Sequence, residues 1–282
     1  EYAKNRVQGR EIGVKAGERV SIIHHPDVRR MLMTMKALTE AMRALAAAAA
    51  EALDHALASP DPDAKRRGQA VFDLLTPVVK GWCTEQSIEI ASTGVQIHGG
   101  MGFVEETGAA QYLRDARITA IYEGTTGIQA NDLVGRKLAF EKGMTAKAII
   151  GAMRAFDAEL APFSDHPALG VIRKALGQGV AALDEATDWL LGAYAQDPKT
   201  AVAGAVPYLK LWGVVAGGWQ MARAALVAKR RLDTGSDDAD FYRAKLATAR
   251  FFAEHILPLA HAYTPSIVQG ATSTLALEEA MF

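Results

Sequence analysis

Residues 26–59, PDVRRMLMTMKALTEAMRALAAAAAEALDHALAS, decide how the chain is read. Met31, Met35, Leu38, Met42, Leu45 and Leu53 recur at spacings of three, four and eight, which lays one apolar stripe along a helix. The run Ala46–Ala50 extends it with the strongest helix former. Pro60 and Pro62 lack a backbone donor and end it. At this spacing the methionines read as core packing rather than as a plastic binding surface.

The same periodicity continues in both directions. A second long helix is predicted from Asp63 to about Val95, through Val71, Leu74, Leu75, Val78, Val79, Trp82, Ile88 and Ile90, with a bend at Pro77. HGGMGFVEETG (98–108) is a glycine-rich break. A third helix, Thr126 to about Phe140, carries Ile128, Leu133, Val134 and Leu138. Beyond Lys142-Gly143 a second set is predicted at Thr145–Leu160, Pro167–Ala195, Pro198–Leu232 and Asp238–Tyr263. Pro162, the Asp197-Pro198 turn and the polar stretch 233–240 separate its members, and a short helix, Leu275–Met281, is expected in the tail. Period-two alternation appears only at Val20–Ile23. The fold class is therefore all-α, as two consecutive helical bundles at 1–142 and 143–282. Gly213, Gly217 and Gly218 permit close helix approach, either within the chain or between subunits.

Composition narrows the function classes. Of the 282 residues half are hydrophobic, and the net charge of -1 gives no basic stripe for nucleic acid. The single cysteine, Cys83, excludes an internal disulfide framework, fits a cytoplasmic protein and is expected in the core. Ala201–Ala228 is apolar but broken by Pro207, Lys210, Gln220 and Arg223, which predicts a buried helix and no membrane span. His24-His25 lacks further ligands, so no metal site is expected. The opening EYAKNRVQGR reads as the end of a helix already under way, as in the C-terminal part of a longer protein.

Chemistry concentrates in Gln96–Gln129, which contains QIHGGMGF (96–103), YLRDARI (112–118) and IYEGTTGIQ (121–129). Gly99, Gly100 and Gly102 allow backbone amides to approach a ligand, although Gly-Gly also serves as a plain helix cap. Glu123 stands between apolar Ile121-Tyr122 and a helix start with threonine caps. A helix N-terminus stabilises its charge, whereas burial beside apolar groups raises its pKa toward that of a general base. A first-turn Glu that only complements the helix dipole fits the same letters.

With YAKNRVQG (2–9) upstream, these three motifs resemble, in order and spacing, the signature region of the acyl-CoA dehydrogenase family. The resemblance implies that Glu123 abstracts the α-proton of an acyl-CoA, that its backbone N–H holds the thioester carbonyl, and that hydride passes to FAD. It implies that Gln96, Gly99 and Gly100 contact the FAD of a neighbouring subunit, with Arg6 and Gln8 at that cofactor's phosphates and adenine end. Thr125, Thr126 and Gly127 would touch FAD within the subunit, and Tyr122, Gly124 and Ile121 would line the acyl pocket. Arg114-Asp115 reads as a structural pair on a loop. RVQG lacks the usual Phe and 10–30 is a long link, which weakens the transfer to Gln8 more than to Arg6. From about residue 145 the chain is similar to a branch with an extra C-terminal helical domain, which hints at a short or thioether-containing acyl chain. The same resemblance implies a homodimer or dimer of dimers and an electron-transfer flavoprotein as acceptor, with FAD binding and activity weak without the preceding domains. An acyl-CoA oxidase and a non-catalytic helical interaction module are the alternatives.

Overall fold

Pro26 opens helix α1 (Pro26–Ala58) at a position where its missing N–H would be unpaired in any case. In the computed structural model, which describes Glu1–Phe282, α1 buries Ala37, Leu38, Ala41, Leu45, Ala49 and Ala52. The methionines flank that stripe and are partly buried. A three-residue link returns the chain into α2 (Pro62–His98), whose N-cap Asp61 accepts from the amides of Asp63 (2.9 Å) and Ala64 (3.2 Å). Helix α2 runs unbroken past buried Pro77 and stops at Gly99, whose φ of 60° costs glycine little.

The next helix, α3 (Ala109–Thr119), is one the sequence pattern does not announce, because only Ala109 is buried along it. Arg114 and Asp115 therefore lie on a helix, not a loop, and Arg114 pairs with exposed Glu105 at 2.7 Å. Helix α4 (Thr126–Asn131) continues as a π-helix, Asp132–Ala139, which buries Leu133, Val134 and Leu138. Then follow α5 (Met144–Ala155), α6 (Leu169–Gln196), α7 (Ala205–Asp233), α8 (Ala239–His255) and α9 (Leu259–Val268).

Three expected helices are divided. Thr145–Leu160 breaks at Phe156. Pro198–Leu232 breaks at Gly204, where a side chain would crowd Ile267, and Asp238–Tyr263 breaks at 256–258. The tail forms Ala271–Thr274 and a 3-10 turn at Glu279–Met281 instead of one helix at Leu275–Met281. The single β-like stretch becomes an isolated antiparallel bridge, Val7 to Ser21.

Helix α7 is the hub: it packs against α1, α2, α4, α6, α8 and α9. One continuous hydrophobic core runs from Ala37 to Ile267, so both helical sets share it. The small residues of α7 make this contact possible. Trp82 of α2 is 1% exposed and lies on Gly213 and Gly217, where a Cβ at Gly213 would stand 2.1 Å from its Cγ. Gly218 faces Leu257 and Phe252. The glycines thus serve packing within the chain. An indole burying on the order of 200 Å² contributes about 5 kcal/mol of gross transfer free energy. Nearby Cys83 is partly buried, and burial pushes its thiol up to about 12. Glu40 ties α1 to α8 by bonding Lys36 (2.6 Å) and Lys245 (2.7 Å). No helix is long and apolar enough to cross a membrane.

Candidate active site

The turn between α3 and α4 holds Glu123. Its φ is 53°, one of two positive values outside glycine, and Gly124 follows at 91°. A left-handed glutamate is disfavoured by roughly 1–2 kcal/mol, so its surroundings must hold it there. Three contacts do so. Lys80 of α2 donates to the carbonyls of Thr119 (3.0 Å), Tyr122 (2.9 Å) and Gly124 (2.6 Å). The hydroxyl of buried Thr126 donates to Glu85 of α2 at 2.6 Å. The Gln129 amide donates to the Glu123 carbonyl at 3.3 Å.

Thr125 caps α4, accepting from the Ile128 amide at 3.3 Å. A Cβ on Gly124 would lie 2.9 Å from Gln129 Nε2, so the turn demands glycine for space as well as for φ. The amides of Glu123, Gly124 and Thr125 donate to no acceptor in the chain. Consecutive free amides in such a turn form a concavity suited to partial negative charge.

The burial expected for Glu123 is absent: its side chain is exposed in this chain. Its apolar neighbours Ile121 (46%) and Tyr122 (49%), with Ile128 (57%), are exposed too. The turn therefore lies on the outer surface of the bundle.

The remaining candidates assemble elsewhere. Gln96, Gly99 and Gly100 occupy the C-terminal end of α2, all exposed. At helical rise Gln96 lies roughly 24 Å beyond Lys80. Arg6 and Gln8 come to this same end through the bridge to 20–22, with Gln8 donating to the Val20 carbonyl at 3.0 Å. Ala3, Ile22 and Ile97 form a small core beneath them, and the Tyr2 ring lies 4.4 Å from that of His98.

The three glycines of the HGGMGF motif have different reasons. Gly99 supplies a positive φ, and a Cβ on Gly100 would meet nothing within 4 Å, which leaves its surface open to an external group. Gly102 is packing, since its Cβ would lie 2.3 Å from the Val95 carbonyl oxygen. Lys80 and Glu85 were not among the candidates; a lysine flanked by buried Val78, Gly81 and Trp82 was the available signal.

Residues 11–139 match the family model described as acyl-CoA dehydrogenase, C-terminal domain. Residues 149–278 match the one described as acetyl-CoA dehydrogenase C-terminal like. The chain is 49% identical over 256 residues to a 3-methylmercaptopropionyl-CoA dehydrogenase of Ruegeria pomeroyi, covering 91% of this chain and 43% of that protein.

The chain belongs to the acyl-CoA dehydrogenase family.

Another member of that family, the broad-specificity linear acyl-CoA dehydrogenase FadE5 of Mycobacterium tuberculosis, is 38% identical over all of this chain and 48% of its own length. The chain thus spans less than half the length of these curated relatives. In fold it is similar to an acyl-CoA dehydrogenase complexed with FAD from Bacillus anthracis, with a TM-score of 0.70 over 99% of this chain and 46% of that one, at 18% identity. It is likewise similar to Caenorhabditis elegans ACDH-11 in complex with C11-CoA, with a TM-score of 0.65 over 91% of this chain and 39% of that one, at 19% identity.

Proposed function

We propose that this chain is the C-terminal, base-bearing part of an FAD-dependent acyl-CoA dehydrogenase. The observation that carries the reading is the left-handed Glu123-Gly124 turn, with its carbonyls drawn to Lys80 and its amides unpaired. In this reading the Glu123 carboxylate takes the α-proton of an acyl-CoA thioester. Charge then develops on the thioester oxygen, and the Glu123 amide N–H, already fixed in place, donates to that oxygen without reorganising. Ile121, Tyr122 and Gly124 form the part of the acyl pocket that this chain supplies. Their exposed apolar faces suit a cover from a preceding domain, which would also desolvate the carboxylate.

The donor set fits a flavin dinucleotide. Gln96, Gly99 and Gly100, with Arg6 and Gln8, offer an amide, an open backbone and a cation at one end of α2 for the FAD of a neighbouring subunit. Thr125 and Gly127 offer a helix start for FAD in the same subunit, whereas Thr126, expected beside them, is buried and gives its hydroxyl to Glu85 and its amide to Ala120. Bound flavin supplies the acceptor for the β-hydride. Two separate patches on one chain suit a homodimer or dimer of dimers. An electron-transfer flavoprotein as acceptor, a cytoplasmic setting and little activity in the isolated chain belong to the same reading. The organisation proposed is 1–142 and 143–282, sharing one core. The 49% identity to a 3-methylmercaptopropionyl-CoA dehydrogenase supports a short, thioether-containing acyl chain.

The test is anaerobic titration of the intact protein with acyl-CoA. Flavin absorbance should bleach in the wild type and not in Glu123→Gln, with FAD content unchanged. Undiminished bleaching in that variant removes Glu123 from the mechanism. Stoichiometric peroxide in air would assign the electrons to oxygen and make the protein an oxidase.

A further inference from the structure

Lys80 has an unusual set of partners. Its ammonium carries three N–H donors, and three backbone carbonyls take them, at 3.0, 2.9 and 2.6 Å. It forms no salt bridge with any carboxylate. Two of these carbonyls, those of Tyr122 and Gly124, flank Glu123 in its turn, and the third, that of Thr119, ends α3 just before it. The Tyr122 ring adds a fourth contact, its centroid 5.6 Å from the ammonium.

Peptide planarity turns these bonds into a directional device. In a trans peptide the C=O and the following N–H point in opposite directions. Drawing the Tyr122 carbonyl onto Lys80 therefore turns the Glu123 N–H away from α2. The Gly124 carbonyl does the same for the N–H of Thr125. Both amides lack an acceptor in the chain. Between these two pinned peptides stand Glu123, with its left-handed φ of 53°, and Gly124 at 91°.

We infer that Lys80 is a positioning residue: it staples the Glu123 turn from behind, setting the direction of the base and of the amides beside it. The inference rests on the reading of Glu123 as the base. Lys80 itself touches no reacting atom. It acts from mid-helix, on a long α2 anchored in the core through Trp82, so the turn inherits the rigidity of the bundle.

The readout is α-proton exchange in D2O, measured by NMR in the intact flavin-loaded protein. The ligand is a 3-oxa-acyl-CoA, whose α-carbon bears hydrogens but whose β position is oxygen, so only proton transfer is reported. Lys80→Met should lower exchange per bound flavin about 10–100-fold, the range set by roughly ångström misplacement of a catalytic group. Ligand affinity should stay within about threefold, since most acyl-CoA contacts do not depend on the turn. A lysine needed only for folding would reduce the yield of flavin-bearing protein and leave exchange per flavin intact; exchange within twofold of wild type overturns the inference. Should Lys80→Met yield no folded protein, Lys80→Arg carries the test. Its planar donors cannot serve three carbonyls from one point, so a fall of about 3–10-fold is expected and an unchanged rate overturns the inference. Glu123→Gln separates the two levels. Normal exchange there overturns the base itself, whereas abolished exchange there beside wild-type exchange in a folded Lys80 variant overturns only the role of Lys80.

Discussion

Replacing Gly213 by alanine pits two known effects against each other at one carbon. In a helix interior the change is intrinsically favourable by about 1 kcal/mol, through lower unfolded-state entropy and better propensity. In α7 the new Cβ would lie 2.1, 2.3 and 2.5 Å from three atoms of the Trp82 indole. Each is about 1 Å short of ordinary contact, which begins at 3.4 Å. The indole is 1% exposed and its neighbours on α1 and α7 belong to the same core, so it has no solvent to retreat into. Overpacking of this kind costs about 1–3 kcal/mol, and here more than one pair of atoms collides. Taking the upper end of that range, a net loss of about 2 kcal/mol remains after the propensity gain, or roughly 3–8 °C in Tm for a chain of this size. The matched control is Gly177→Ala in α6, where a Cβ meets nothing within 4 Å, and a gain of about 0.5–1 kcal/mol is expected. Urea unfolding followed by tryptophan fluorescence and circular dichroism measures both. A Gly213→Ala protein at least as stable as wild type would refute the account of how the two helical sets are joined.

Gly100→Ala should leave thermal stability of the chain unchanged but lower FAD content of the intact protein, whereas Gly102→Ala, with its Cβ 2.3 Å from the Val95 carbonyl oxygen, should destabilise by about 1–3 kcal/mol. Burial raises the carboxyls of Glu40 and Asp184, but hydrogen bonds and charge from Lys245 and Lys36, and from Lys147 and Arg154, outweigh it and hold both below the ordinary range. Depressed folded values mean that the unfolded state binds more protons. Their stabilisation is therefore full above about pH 4 and is lost as pH falls through the folded values. Asp184→Asn should soften the fall of Tm below about pH 4, and an equally steep fall would count against the pairing. With its thiol pushed up to about 12, Cys83 should resist alkylation of the native protein at pH 8 and react only on unfolding; rapid native modification would contradict its placement.

The long helices α1, α2, α6 and α7 were legible because each repeats an apolar face every three or four residues, a property of local sequence alone. Their ends were legible where proline or an Asp cap stood, as at Pro26, Asp61 and Asp197. Helix α3 was not, since it is a mostly exposed helix whose letters show no apolar stripe. The split at Gly204 was hidden as well, because what forbids continuation is the close approach of Ile267, more than sixty residues away. At the site, the motif letters marked Glu123, Gly124 and the Thr125 cap, all features of short-range chemistry. Lys80 and Glu85 escaped because their partners, Thr119 to Gly124 and Thr126, are about forty residues distant and are mostly backbone groups that no side-chain pattern advertises.

The letters alone sufficed for an all-helical chain, for those helix ends marked by proline or an Asp cap, and for the turn on which a carboxylate stands. Those are consequences of periodicity, capping and backbone freedom within a few residues. Only the tertiary structure decided that the small residues of α7 receive Trp82 rather than another subunit. It alone separated the two groups of candidate residues along α2, left the Glu123 side chain exposed in this chain and brought an ammonium behind its turn. Each depends on which surfaces meet when distant helices close on one core, and spacing along a chain carries no record of that.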